Sequence, residues 1–257
     1  MQFPMDDRMI LAFVGWLLTV RKVGAASVRQ YLSGLQTLDL KNGYLPGNLR
    51  PELVKSILKG QEQQESRTKI PRLAVTLPIL KLLKTLLKMS TLALEKKRMI
   101  WAVCCMAFHG SFRIHEILAR NQTTFDPTTT LLGSDIRLVK TKIDGVEEEI
   151  LVIHLKSPKE EVISTGINVE LFATDTFSCP VAAWKKWRSL NKFSLSPTKP
   201  VFRMPDGKCF TGNLFNNTLK DLLGKYVNYD KHKFLSHSFR AGLASRWLQQ
   251  DMRMQSS

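Results

Sequence analysis

No apolar run in the 257 residues approaches the roughly 20 needed to cross a bilayer, so the sequence predicts no membrane-spanning helix. The opening MQFPMDD lacks the basic n-region and apolar h-region of a signal peptide, and a secreted product is not expected. Cysteine is scarce: Cys104 and Cys105 are adjacent in an apolar run, while Cys179 and Cys209 stand alone, a distribution that matches neither a disulfide framework nor zinc-ligand spacing. Reduced core or surface thiols are expected, with no metal and no cofactor. H-E-x-x-H, Walker A and G-x-S-x-G are all absent, so nothing points to zinc-protease, P-loop or α/β-hydrolase chemistry. Acidic residues are also few, since 22 Asp+Glu against 38 Lys+Arg leave a formal charge of +16 and a pI near 9.9.

For a chain this basic the default partner is nucleic acid. Residues 1–75 carry 11 basic and 6 acidic side chains and residues 76–257 carry 27 and 16, leaving +5 and +11. Charge spread over both parts suits a two-sided clamp better than a single basic tail. A composition of 44% hydrophobic and 23% charged residues is that of an ordinary globular chain long enough for two modest domains.

Three short helices are expected first. RMILAFVGWLLTVR follows Asp6-Asp7 and runs to about Arg21. Gly24 breaks it, and Ser27 opens SVRQYLSGLQTLDL with Val28, Tyr31, Leu35 and Leu38 on one stripe, Tyr31 being read as a packing residue. Pro51 precedes ELVKSILKG, which Gly60 is expected to close. The run QEQQESRTK then has no large apolar side chain and meets Pro71, so a linker is placed at 63–75 between a first domain, 1–62, and a second, 76–257. Leu77–Met89 and Leu94–Phe108 read as helices, the second apolar nearly all round and therefore central. LLGSDIRLVK, EEEILVIHL and ISTGINVEL, with a turn at Asp144-Gly145, predict a three-stranded antiparallel sheet. PVAAWKKWRSLN is an amphipathic helix in which Trp184 and Trp187, at i and i+3, are read as core, although aromatics interleaved with Lys and Arg can also serve nucleic acid. Thr211 is expected to cap a further helix, and His232 reads as a solvated phosphate-contact or spacer residue. The fold class is therefore mainly α with a small antiparallel sheet, α+β.

Two motifs carry chemistry. In FLSHSFRAGLASR, Ser236 can cap a short helix on which His237 and Arg240, three apart, share a face beside free amide groups, an arrangement suited to a phosphate. In GSFRIHEIL, Arg113 follows the buried run MIWAVCCMAF and has Glu116 at i+3 to hold its plane. Each alone also reads as a structural pair. Together, G-x-x-R-I-x-E-[IL] followed over a hundred residues later by H-S-F-R resembles the tyrosine recombinases, the phage integrase-like enzymes. The H-S-F-R-x-G form is most similar to the recombinases of DIRS and Ngaro type retroelements and their domesticated relatives.

That resemblance implies a helical core-binding domain at 1–62, a catalytic domain at 76–257 that is C-terminally incomplete, and double-stranded DNA as partner. It also implies a possible homo-oligomer on DNA, no membrane, and a nuclear location in a eukaryote or a cytoplasmic one otherwise. Strands would break and rejoin through a 3′-phosphotyrosine, without metal or ATP. Arg113 and Arg240 would hold the non-bridging oxygens, His237 would donate a hydrogen bond or move a proton, and Glu116 would support Arg113. A lysine on the turn after the second strand would protonate the leaving oxygen. Lys159 fits by resemblance to an S-K-T turn from which Pro158 departs, Lys156 is the alternative, and either also reads as a solvated turn lysine. The nucleophile is missing from the pattern: Tyr31, Tyr44, Tyr226 and Tyr229 all precede the H-x-x-R box, only 17 residues follow Arg240, and Trp247 lies too close behind it to be the family's downstream Trp. The expectation is a DNA-binding recombinase core that cannot cleave as given. The alternative is a non-enzymatic, domesticated relic of a mobile element.

Overall fold

The computed structural model describes residues 6–44, 52–68, 73–143, 145–156, 166–190, 195–224, 238–240 and 242. The chain forms two compact units, Met1–Ile70 and Pro71–Ser257.

In the first unit, helix α1 (Asp7–Thr19) starts where the Asp6 carboxylate accepts the Met9 N–H at 2.7 Å, and its buried residues Ile10, Val14 and Leu17 fall on one stripe. Helix α2 (Ala25–Lys41) and helix α3 (Glu52–Thr68) close the core with Ala25, Val28, Leu32, Val54 and Leu58. Two expectations fail here. Tyr31 does not pack: it is 52% exposed and Leu38 41%, because the buried stripe runs through Val28, Leu32 and Asp39. At 100° per residue the two candidate stripes share Val28 and Leu35, and the sequence did not show which side α1 and α3 would cover. Nor does Gly60 end α3. The helix continues through QEQQESRT, the run read as linker, because Glu62 makes a two-oxygen pair with Arg29 and Glu65 Oε1 accepts the Ala25 N–H at 2.8 Å, capping α2. Glu and Gln are good helix formers once such a partner is present.

The second unit is built around helix α5 (Leu94–His109), buried from Met99 to Phe108 except for Trp101. Helix α4 (Leu77–Met89) and helix α7 (Pro180–Arg188) pack against it, and helix α8 (Gly212–Leu223) packs against α4. Trp184 and Trp187 are core as expected; Trp187 stacks on Phe202 with ring centroids 4.8 Å apart. Burying side chains of this size is worth about 1.5–3 kcal/mol each. All four cysteines are free and buried, and burial pushes the Cys104 and Cys105 thiols well up, so neither is a reactive thiolate.

The sheet is antiparallel in the order β1 (Ile136–Ile143), β2 (Val146–Leu155), β3 (Ile167–Phe172). Ile136, Leu151, Ile153 and Leu171 turn to the core in alternation. The first strand begins five residues later than LLGSDIRLVK suggests, since Gly133–Asp135 is a 3₁₀ turn closed by the Asp135 carboxylate accepting the Leu132 N–H at 2.7 Å. Thr211 caps α8 through its hydroxyl, which accepts the Leu214 N–H at 3.3 Å.

Candidate functional site

The site begins where α5 ends. Gly110 receives the last turn, Ser111 takes a left-handed φ of 50°, and the Phe112 ring, 2% exposed, folds into the space that a Cβ on Gly110 would fill. This tight reversal sets Arg113 as the N-cap of the short helix α6 (Ile114–Ile117). The Glu116 carboxylate serves it twice: Oε2 accepts the Arg113 backbone N–H at 2.7 Å and Oε1 accepts from the guanidinium at 3.1 Å. The arginine is thus oriented at the edge of the core, its side chain 30% exposed and that of Glu116 21%.

Arg113 and Glu116 open onto a cavity of about 400 Å³, also lined by His115, Arg120, His154 and Lys156. Three cations, two imidazoles and one carboxylate make it a basic recess able to hold a phosphate-sized anion. His115 is set by packing over the start of α8, its ring 2.8 Å from where a Cβ on Gly212 would stand. His154 hydrogen-bonds Asn168 across β2 and β3, Nδ1 to Oδ1 at 2.9 Å. Lys156 extends from the end of β2 to three acceptors: Asp135 Oδ2 at 2.6 Å, the Pro127 carbonyl at 2.9 Å and the Thr130 carbonyl at 3.4 Å. An ammonium has three hydrogens, and these contacts use them to tie the 126–135 loop to the sheet. In that loop the Thr128 hydroxyl and amide both donate to Asp126, holding its carboxyl below the usual value.

Arg240 lies on a helical turn, Ser238–Arg240, anchored through its neighbours. The Ser238 carbonyl accepts the Val75 N–H at 2.8 Å, the wholly buried Phe239 packs on Phe215 of α8 with ring centroids 5.8 Å apart, and Gly242 lies against Val75 and Phe108. The Arg240 side chain is exposed and is not among the described residues lining the recess. Residues beside each arginine meet the same two helices: Arg113 follows α5 and its neighbours Ile114 and His115 lie against Gly212 of α8, while Phe239 and Gly242 lie against Phe215 of α8 and Phe108 of α5. Lys159 and His237 lie outside the described residues, as do Tyr226 and Tyr229. Among the described residues no group of His, Cys, Asp and Glu is placed to hold a metal ion, and no helix is long and apolar enough to cross a membrane.

Sequence reasoning singled out Arg113, Glu116 and Lys156 and missed Arg120 and His154. A signal for His154 existed: two residues before Lys156 on a strand, it shares a face with it. Arg120 carried none, because the loop after α6 reaches the recess only through tertiary packing.

No protein-family model matches the sequence, and no curated protein is detectably similar to it. Solved structures are similar in fold. The Tn1549 transposon integrase, solved in complex with circular intermediate DNA, superposes with a TM-score of 0.57 at 11% identity, covering 94% of this chain and 74% of that one. XerH site-specific recombinase bound to a palindromic difH substrate gives 0.56 at 12%, covering 96% and 60%. The FLP recombinase–Holliday junction complex gives 0.47 at 11%, covering 78% and 49%. The chain therefore spans between about half and three-quarters of the length of these proteins. The architecture, mostly helical with one three-stranded antiparallel sheet, is the tyrosine-recombinase catalytic-domain fold.

Proposed function

We propose that this chain is a DNA-binding protein built on a tyrosine-recombinase core, engaging double-stranded DNA and gripping one phosphodiester with Arg113 and Arg240. The observation that carries the reading is the Arg113–Glu116 pair opening into a cation-lined recess, within a fold shared with two DNA-bound recombinases over more than nine-tenths of the chain. Preorganised donors of this kind act on the negative charge that builds on the non-bridging oxygens, and each is typically worth about 3 kcal/mol, or roughly a hundredfold in rate. His237 would supply a further hydrogen bond or proton. Because Lys156 already satisfies three acceptors, Lys159 is the better donor for the leaving oxygen. The DIRS/Ngaro resemblance, an origin in a mobile element, a nuclear location in a eukaryote and assembly into oligomers on DNA belong to the same proposal.

Attack on phosphorus needs an oxygen nucleophile in line with the leaving oxygen, and electrostatic stabilisation does not replace it. None of the four tyrosines follows the His237–Arg240 box, and Tyr31 and Tyr44 lie in or just after α2 of the first unit. These 257 residues should therefore bind a nicked suicide substrate without forming a covalent complex on a denaturing gel. Fusion to the C-terminal segment of a related recombinase, tyrosine included, should restore adduct. A shifted band from the unextended chain would contradict the assignment and direct attention to Tyr226 and Tyr229. A second reading is a non-enzymatic DNA-binding relic, which a folded, DNA-binding fusion that still forms no adduct would select.

A further inference from the structure

A second recess lies at the opposite end of α5, bounded by α4, the first turns of α5, the 174–179 loop and α7, with a volume of about 460 Å³. We propose that it is a docking pocket for an acidic segment of a partner protein that inserts one bulky apolar side chain. It shares no residue with the Arg113 recess, and Arg98 stands about 16 Å from His109 along the helix at 1.5 Å per residue.

The floor is apolar. Leu87, Trp101 and Phe177 form it, the two rings stacked with centroids 6.3 Å apart and Phe177 38% exposed. Open apolar surface in a concavity of this size suits a buried anchor side chain. The rim is cationic: Lys84, Lys88, Lys97, Arg98 and Lys186 border it, and among the described residues no acidic one lines it. The hydrogen bonds these cations make go to backbone carbonyls, which neutralise no charge. Lys84 donates to Phe177 O at 3.1 Å, Lys97 to Lys88 O at 3.1 Å and Arg98 to Lys186 O at 3.0 Å. Next door the pattern is different, because Lys185 pairs with Glu149 at 2.8 Å. Five cations around an apolar floor call for a ligand that supplies both carboxylates and an apolar group.

Nucleic acid fits less well. A duplex presents phosphates on a convex surface and nothing apolar to fill a recess. A single-stranded base would need an open aromatic face, but the Lys84 ammonium sits 5.2 Å from the Trp101 ring centre and 5.5 Å from that of Phe177. A peptide with Asp or Glu flanking a Phe or Leu satisfies floor and rim together.

The test uses the full 257-residue chain and a fluorescein-labelled peptide, Asp-Glu-Asp-Phe-Leu-Asp-Glu-Asp, followed by anisotropy at physiological salt. Saturable binding is expected, weakened tenfold or more by Lys97→Glu with Arg98→Glu and also by replacing the peptide's Phe-Leu with Ala-Ala. The charge-matched pair Lys140→Glu with Lys142→Glu, on β1, should leave it within twofold. Lys97 and Arg98 are half-buried and Lys140 and Lys142 exposed, and equal melting temperatures would show that both doubles fold. No saturable binding would overturn the proposal. So would equal affinity for the Ala-Ala peptide, or equal loss in both doubles, since either reduces the effect to net charge. A ten-nucleotide oligothymidylate that displaces the peptide and is itself weakened selectively by the Lys97/Arg98 change would overturn it in favour of single-stranded nucleic acid. None of these readouts depends on duplex binding or cleavage.

Discussion

The Glu116 carboxylate does two things for Arg113, capping its backbone N–H and pairing its guanidinium, and removing the arginine side chain leaves the second oxygen facing a half-buried wall. Arg113→Ala should therefore cost about 1 kcal/mol, or about 2–4 °C in melting temperature for a domain of this size. Arg240 is exposed, and Arg240→Ala should stay within about 0.5 kcal/mol of wild type. Differential scanning calorimetry on both variants checks this, and equal melting temperatures for wild type and Arg113→Ala would contradict the placement. The arginine–glutamate pair was legible in the sequence because residues three apart meet within one helical turn. Arg120 was not, nor was the role of Lys156 as a tie to Asp135, because each depends on loops brought together from distant sequence.

At the scale of the element, the chain's regular patterns were read correctly where one face is wholly apolar, as in α4 and α5, or where Thr211 caps α8, whereas Ser27, read as opening α2, lies inside a helix that starts at Ala25. Reading failed where a polar stretch finds its partner only in three dimensions. Gly60 and the residues after it are the example, since α3 runs on to Thr68 through the Glu62–Arg29 pair and the Glu65 cap on Ala25. A Cβ on Gly60 meets nothing within 4 Å, so Gly60→Ala should raise stability by about 0.5–1 kcal/mol. If Gly60 were instead a left-handed helix stop, the same change would lower it, and urea denaturation distinguishes the two. Gly110 is the converse. Its Cβ position is filled by the buried Phe112 ring, so Gly110→Ala should cost about 1–3 kcal/mol and disturb the turn that delivers Arg113. A phosphate contact made by Arg113 should weaken with it, which Arg113→Ala alone would reproduce without the larger loss of stability.

Across the whole molecule the signal that was plainest in the sequence is charge. The +16 excess is divided between 1–75 and 76–257, each positive in its own right, and each belongs largely to one compact unit. Fold class and the three antiparallel strands followed from periodicity, and the structural likeness to Tn1549 integrase and XerH supports the same architecture at 11–12% identity, where sequence alone finds no match. Two positive units should each contribute phosphate contacts, and every contact releases a condensed counterion. The most direct measurement is a titration of labelled duplex DNA without magnesium at 50 and 200 mM salt. With six to ten phosphates engaged, affinity should fall about 10³- to 10⁵-fold across that range. Affinity that stays flat between 50 and 200 mM salt would contradict DNA binding by both units.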